Sequence, residues 1–257
     1  MDDQIESLLG KKLPVLDHGF VRLIDFMGSD EFVANCTRLE SDELDRFSNE
    51  ERIDWCFRTS NLSPLEQACV VFQIRLPIYV MGQLVRHRTA KLNSFSARYA
   101  KVNHQFHELD IKDLRMQGDL NKQVGQGSLE GDFAKNCVKS IQEASEQGYR
   151  RYLSLMEMGL CREQARIILP QNAYTTIFWK MDLRNLFHFL RLRLGKDAQK
   201  EIQFFSQQIA YCVTCLFPIC WKSFQDNHLK KVHFTLSELK LLAIFKNCLI
   251  CSYSNSA

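Results

Sequence analysis

The stretch Cys69-Val70-Val71-Phe72-Gln73-Ile74-Arg75-Leu76 constrains this chain most. Its side chains are mostly apolar and several are β-branched, so it reads as a strand. Pro77, which lacks an N–H for a sheet ladder, follows at once and opens a short helix toward Val85. Residues 18–26 alternate roughly and read as a second strand. Gly28-Ser29-Asp30 then starts a helix over about 30–39, with Ser29 or Asp30 as its cap. Asn61-Leu62-Ser63-Pro64-Leu65-Glu66 reads as another helix start, with Ser63 as N-cap and Pro64 at the first position. Residues 133–159 place Ala134, Val138, Ile141, Ser145, Tyr149, Tyr152 and Met156 near the 3.6 period of a long helix. Residues 161–169 make a short helix stopped by Pro170, and 182–194 and 198–217 two more. Residues 40–51 read as a polar surface helix or loop, 86–99 as irregular, and 117–131 as a glycine-bearing loop. Together these elements predict an α+β fold, a small central sheet packed with helices. The expected division is a lead-in over 1–13, one domain over 14–228, and a helical C-terminal extension over 229–257.

Composition removes several functions. Hydrophobic residues make up 46% and charged residues 25% of the chain, enough for a core of normal size. The 33 basic and 30 acidic residues leave a net charge of +3, too mild to argue for nucleic acid, and no aromatic stacking motif accompanies the arginines. No run reaches the roughly 18 apolar residues of a membrane span, so no membrane partner is expected. The start, Met1-Asp2-Asp3-Gln4-Ile5-Glu6, carries no secretory signal, which points to a reducing cytoplasm. The ten cysteines, Cys69 and Cys137 among them, then behave as small free hydrophobes. Two Cys-x-x-Cys pairs, Cys212/Cys215 and Cys248/Cys251, flank His228 and His233 and have zinc-like spacing. Cys212 and Cys215, however, lie in an apolar helical run where cysteine is filler, so no metal site is expected.

The chemistry concentrates in Arg86-His87-Arg88-Thr89-Ala90-Lys91-Leu92-Asn93-Ser94-Phe95-Ser96-Ala97-Arg98-Tyr99. Guanidinium forks, hydroxyls and backbone N–H groups suit phosphate oxygens. By residue chemistry alone the segment reads more readily as a solvated basic loop, since such loops are common.

The order of these residues, Arg-His-Arg, seven residues, then Ser-x-Arg-Tyr, resembles the signature of flavin-dependent thymidylate synthases. Ser63-Pro64-Leu65-Glu66 is similar to that family's turn before the central strand. Arg162-Glu163-Gln164-Ala165-Arg166-Ile167-Ile168-Leu169-Pro170 resembles one of its helices, and residues 174–193 the strand-like stretch and helix that follow. The resemblance covers about residues 16–225. It implies a homotetramer with active sites built from several subunits, a noncovalent FAD, and methylation of dUMP to dTMP. Methylenetetrahydrofolate would be the carbon donor, and NADPH would reduce the flavin.

The resemblance also implies roles by position. Arg86, His87 and Arg88 match the FAD-binding triplet, and Ser63, Glu66, Asn93, Ser94, Asp182, Arg184 and His188 match groups near the flavin. Gln83, Arg86, Ser94, Ser96, Arg98 and Arg166 match the dUMP site, with Arg166 expected from a neighbouring subunit. Arg193 matches the catalytic arginine that polarises the uracil ring. A helical wheel places Arg184, His188 and Arg191 on one face of 182–194 and Arg193 almost opposite. Either the helix ends before Arg193, or its two faces serve different subunits' sites. His188 taken alone would pass for a satisfied interior histidine.

Four positions depart from the family's pattern. Asn61 stands for the usual His, Lys91 for a small residue, Ser94 for Glu, and Asp197 for His. They keep open an alternative, a divergent relative that binds flavin or nucleotide but turns over poorly or not at all.

Overall fold

The computed structural model describes residues 3–38, 46–118, 125–231, 235–238 and 241. Its centre is a five-stranded antiparallel sheet. In chain order the strands are β1 (Lys12–Val15), β2 (Gly19–Met27), β3 (Cys69–Pro77), β4 (Lys91–Ser94) and, after the small β5 (Met116–Gln117) and β6 (Gly125–Gln126) pair, β7 (Tyr174–Asp182). The spatial order is β1-β2-β3-β7-β4. The sheet draws β7 from the C-terminal half of the chain.

The helices are α1 (Asp3–Leu8), α2 (Asp30–Asn35), α3 (Asn49–Thr59), α4 (Ile78–Leu84), α5 (Gly131–Glu157), α6 (Arg162–Ala165), α7 (Leu183–Arg193), α8 (Lys200–Leu216) and α9 (Pro218–Phe224). Burial follows the strand period. Val70, Phe72, Ile74 and Leu76 of β3 are fully buried, while Val71, Gln73 and Arg75 on the other face are half-buried. Register aligns Leu23, Phe72 and Trp179 across three strands, all fully buried, each worth roughly 2 kcal/mol of burial. α7 and α8 cover this face through Leu186, Phe189, Ile202 and Phe205, and α9 joins the same core through Phe224, which stacks on Phe187. A second, smaller cluster joins Tyr149 and Tyr152 of α5 to Val102, Phe106, Ala165 and Ala173. All seven of the α5 positions picked out by periodicity are buried or half-buried.

Local chemistry differed from expectation in four places. Ser29 does cap α2, accepting from Phe32 N at 3.1 Å, but Asp30 caps a different helix: its carboxylate accepts from Ile219 N and Cys220 N at the start of α9. Ser63 is no N-cap. Residues Ser63–Gln67 form a 3-10 turn entered through Leu62, and the Ser63 hydroxyl donates to Asn61 Oδ1 at 3.2 Å. The segment read as irregular contains β4, whose four residues are all exposed and which pairs only with β7. Cys137 lies on α5 as expected for a helix, but exposed, whereas Cys69 and Cys212 are buried. Burial pushes the Cys212 thiol up to about 12, as filler chemistry requires. His233, Cys248 and Cys251, and most of the tail read as helical, lie outside the described residues.

A partly buried carboxylate, Asp17, pins the loop before α5. Burial pushes Asp17 up, but hydrogen bonds from His107, Tyr174 and the Glu108 N–H outweigh it and hold it far below the usual carboxylate range.

Candidate active site

Three elements converge on α7. Its start is fixed by Asp182, the N-cap, whose carboxylate takes both Asn185 N–H (2.9 Å) and Asn185 Nδ2 (2.7 Å). Asp182, expected near the flavin, is the residue that fixes the start of this helix. The helix runs through Arg193, with Leu194 as C-cap, so the first of the two alternatives for Arg193 falls.

On one face Arg184 pairs with Glu66. His188 and Arg191 follow one and two turns on, with Arg191 Nη2 3.4 Å from His188 Nδ1. These groups line a cavity of about 510 Å³ together with Phe57, Leu65, Thr89, Asn185, Phe187, Phe224 and His228. His188 is exposed into this space and not an interior histidine; partial burial and Arg191 lower its pKa. A cavity of this size, cationic on one wall and aromatic on another, fits a flat ring system carrying phosphates. The donor set thus fits FAD.

On the opposite face Arg193 Nε donates to His87 Nε2 at 3.2 Å, and its Nη2 to the Gln83 carbonyl at 3.4 Å. The Gln83 amide bonds to Gln199. His87 N closes onto Leu84 O at the end of α4 (3.1 Å), and its ring meets Phe189 edge-on at 4.9 Å and His188 at 6.1 Å. Burial, then the charges of Arg193 and His188, push His87 down to about 4. It is neutral near pH 7, and Nε2 carries the acceptor lone pair.

The remaining predicted residues lie around this core. Arg86 and Arg88 are exposed and make no side-chain hydrogen bond among the described residues. Asn93 and Ser94 are on β4, opposite Phe178 and Ile177. Ser96 begins a turn closed by Tyr99 N, and Arg98 leans on the Tyr99 ring at 5.0 Å. Arg162 Nη1 ties this turn to α6 through Tyr99 O at 3.0 Å. Arg166 is exposed, its Nε bonded only one turn back to Glu163 O (3.2 Å); no described contact brings it to Gln83, Ser96 or Arg193. Lys91 faces Lys180 across the β4–β7 ladder, two exposed like charges side by side. Asp197 is exposed.

Several lining residues were missed. Arg191 was readable from its shared face with Arg184 and His188. Phe57 depended on α3, which the sequence reading passed over although Ser48-Asn49-Glu50-Glu51 spells a capping box that the structure forms. Phe224 and His228 are brought in by α9 and the π-helical turn Gln225–Leu229, for which no motif signalled.

Residues 22–219 match the Thy1 family, described as thymidylate synthase complementing protein. Among curated proteins, a flavin-dependent thymidylate synthase from Thermus thermophilus is 38% identical over 232 residues, covering 90% of this chain and 84% of that one. One from Treponema denticola is 36% identical over 237 residues, covering 91% and 89%. Among solved structures, the UMP/dUMP methylase PolB from Streptomyces cacaoi, bound with 5-Br UMP, superposes with a TM-score of 0.75 at 27% identity, covering 84% of this chain and 97% of that one.

Proposed function

Because the chain belongs to the flavin-dependent thymidylate synthase family, we propose that it converts dUMP to dTMP with methylenetetrahydrofolate as carbon donor and NADPH as reductant. FAD is its cofactor. The observation that supports the catalytic half of this reading most is the state of Arg193. Its guanidinium is held by two neutral acceptors, and among the described residues it has no carboxylate within ion-pair distance. A fixed, uncompensated cation is what a uracil ring gaining negative charge requires. Arg193 is the group we assign to that ring.

Arg86 and Arg88, exposed and unpaired, supply charge to the cofactor. Glu66, Arg184 and His188 hold it in the cavity. Bound there, FAD would supply the hydride that turns the transferred methylene into a methyl. Gln83, Ser96 and Arg98 hold the dUMP phosphate, and from β4 Asn93 contacts the cofactor and Ser94 both ligands. No described contact brings Arg166 to this site within one subunit, which supports its acting on a neighbouring one and, with it, a homotetramer. Among the described residues no helix is long and apolar enough to cross a membrane, and we read the protein as cytoplasmic.

The test is an anaerobic assay with FAD, NADPH, dUMP and methylenetetrahydrofolate that follows flavin reoxidation and dTMP together. Production of dTMP that Arg193→Ala abolishes is the expected result. Binding of flavin and dUMP without dTMP at saturating ligand would sink the proposal and favour the noncatalytic relative, with Ser94 as the first position to restore to Glu.

A further inference from the structure

We infer that His87 is the positioning residue for Arg193: by accepting the Nε–H it fixes where the remaining guanidinium N–H groups point. This rests on the reading of Arg193 as the group beside the uracil.

An arginine offers five N–H donors in a rigid plane. Holding Nε at His87 and one Nη2 donor at Gln83 O defines that plane and leaves the other donors for a ligand. Both anchors belong to the end of α4: Gln83 is in its last turn, and His87 is tied back to Leu84 O. The His87 ring is itself held edge-on by Phe189, which lies four residues before Arg193 on the same face of α7. Helix, ring and guanidinium thus form a closed loop of contacts, and neither partner reorients alone.

The acceptor role needs an unprotonated ring. Arg193 and His188 face His87 from α7, and Arg86 and Arg88 flank it on its own segment. Burial, then the charges of Arg193 and His188, oppose a second positive charge at His87, which is why its pKa is pushed down to about 4. A carboxylate in the place of His87 would also hold Arg193, but it would cancel the charge that the reaction uses. A neutral acceptor orients the cation and leaves its field intact.

The experiment titrates the ring of bound 5-fluoro-dUMP by ultraviolet absorbance on the flavin-loaded protein, beside kcat and KM for dUMP. The wild type is expected to lower the pKa of the ring N–H by about a unit or more relative to the free nucleotide, as a nearby fixed cation does. His87→Gln, whose amide oxygen still accepts, retains most of that shift. His87→Ala and His87→Lys lose it, and kcat falls roughly 10- to 100-fold with KM within about threefold, the pattern of a misplaced catalytic group. In an Arg193→Gln background, His87→Ala changes the ring ionisation no further. If His87→Ala weakens flavin binding yet leaves ring ionisation and kcat unchanged at saturating flavin, the inference is overturned, as it is by an added effect in the Arg193→Gln background. A wild type that leaves the bound ring unperturbed overturns the role of Arg193 and this inference with it.

Discussion

The two faces of α7 carry the same residue type in opposite electrostatic states. Arg184 is neutralised by Glu66 at the rim of the cavity, while Arg193, on the other side of the helix, is held by a neutral imidazole and a backbone carbonyl. One helix thus supplies a compensated arginine that shapes a pocket and an uncompensated one whose field reaches outward. Charge count alone does not separate them; the partner does. Burial lowers the Arg193 pKa from its ordinary value, yet an arginine stays protonated, so the effect is a charge kept poorly solvated and available.

The strongest way to break this contrast is at Arg193. Arg193→Gln is expected to lower the rate of dTMP formation about 10²- to 10³-fold, as loss of one preorganised donor does, while thermal unfolding shifts little. A rate loss no larger than that of Arg184→Gln would remove the distinction between the faces. Asp182→Ala comes next, because it strikes both faces at once: loss of the N-cap costs about 1–2 kcal/mol in urea unfolding, with flavin affinity and turnover falling together.

The third test uses pH. His87 has a folded pKa of about 4 against an ordinary 6.5, so below 6.5 the unfolded chain takes up a proton that the folded one refuses. Stability contributed by the neutral ring is complete above 6.5 and is lost as pH falls toward 4. His87→Gln should flatten that part of the urea-midpoint profile, and an unchanged slope would place the titration elsewhere. The smallest effect belongs to Glu66→Gln. The pair is half-exposed, so unfolding changes by less than about 1 kcal/mol, and flavin fluorescence titration should show a change of only severalfold.

β2 and α5 were legible because burial imprints a period on them, and β3 because its run is apolar and β-branched, whereas β7 was reached only through the resemblance. β4 was not legible, since Lys91-Leu92-Asn93-Ser94 is exposed on every residue and owes its conformation to pairing with β7. Ser63 misled because Ser-Pro-x-Glu is a capping signature in composition, whereas its backbone enters a 3-10 turn from Leu62. At the site, the motif brought Gln83, His87 and Arg193 onto one list, but their mutual contact depends on where α4 ends against α7. The helical wheel showed that Arg184 and Arg193 diverge; that α7 continues unbroken to Arg193 came only from the packed helix.

β4 has a consequence for how activity is lost. It is short and wholly exposed, and it has one partner strand, yet it holds Asn93 and Ser94. Its ladder to β7 can fray with none of the buried layer beneath Trp179 being disturbed, so its amides belong to the low-stability end of the molecule. Warming should therefore switch the site off by local unfolding, at temperatures where the circular dichroism of the whole still reports an intact protein.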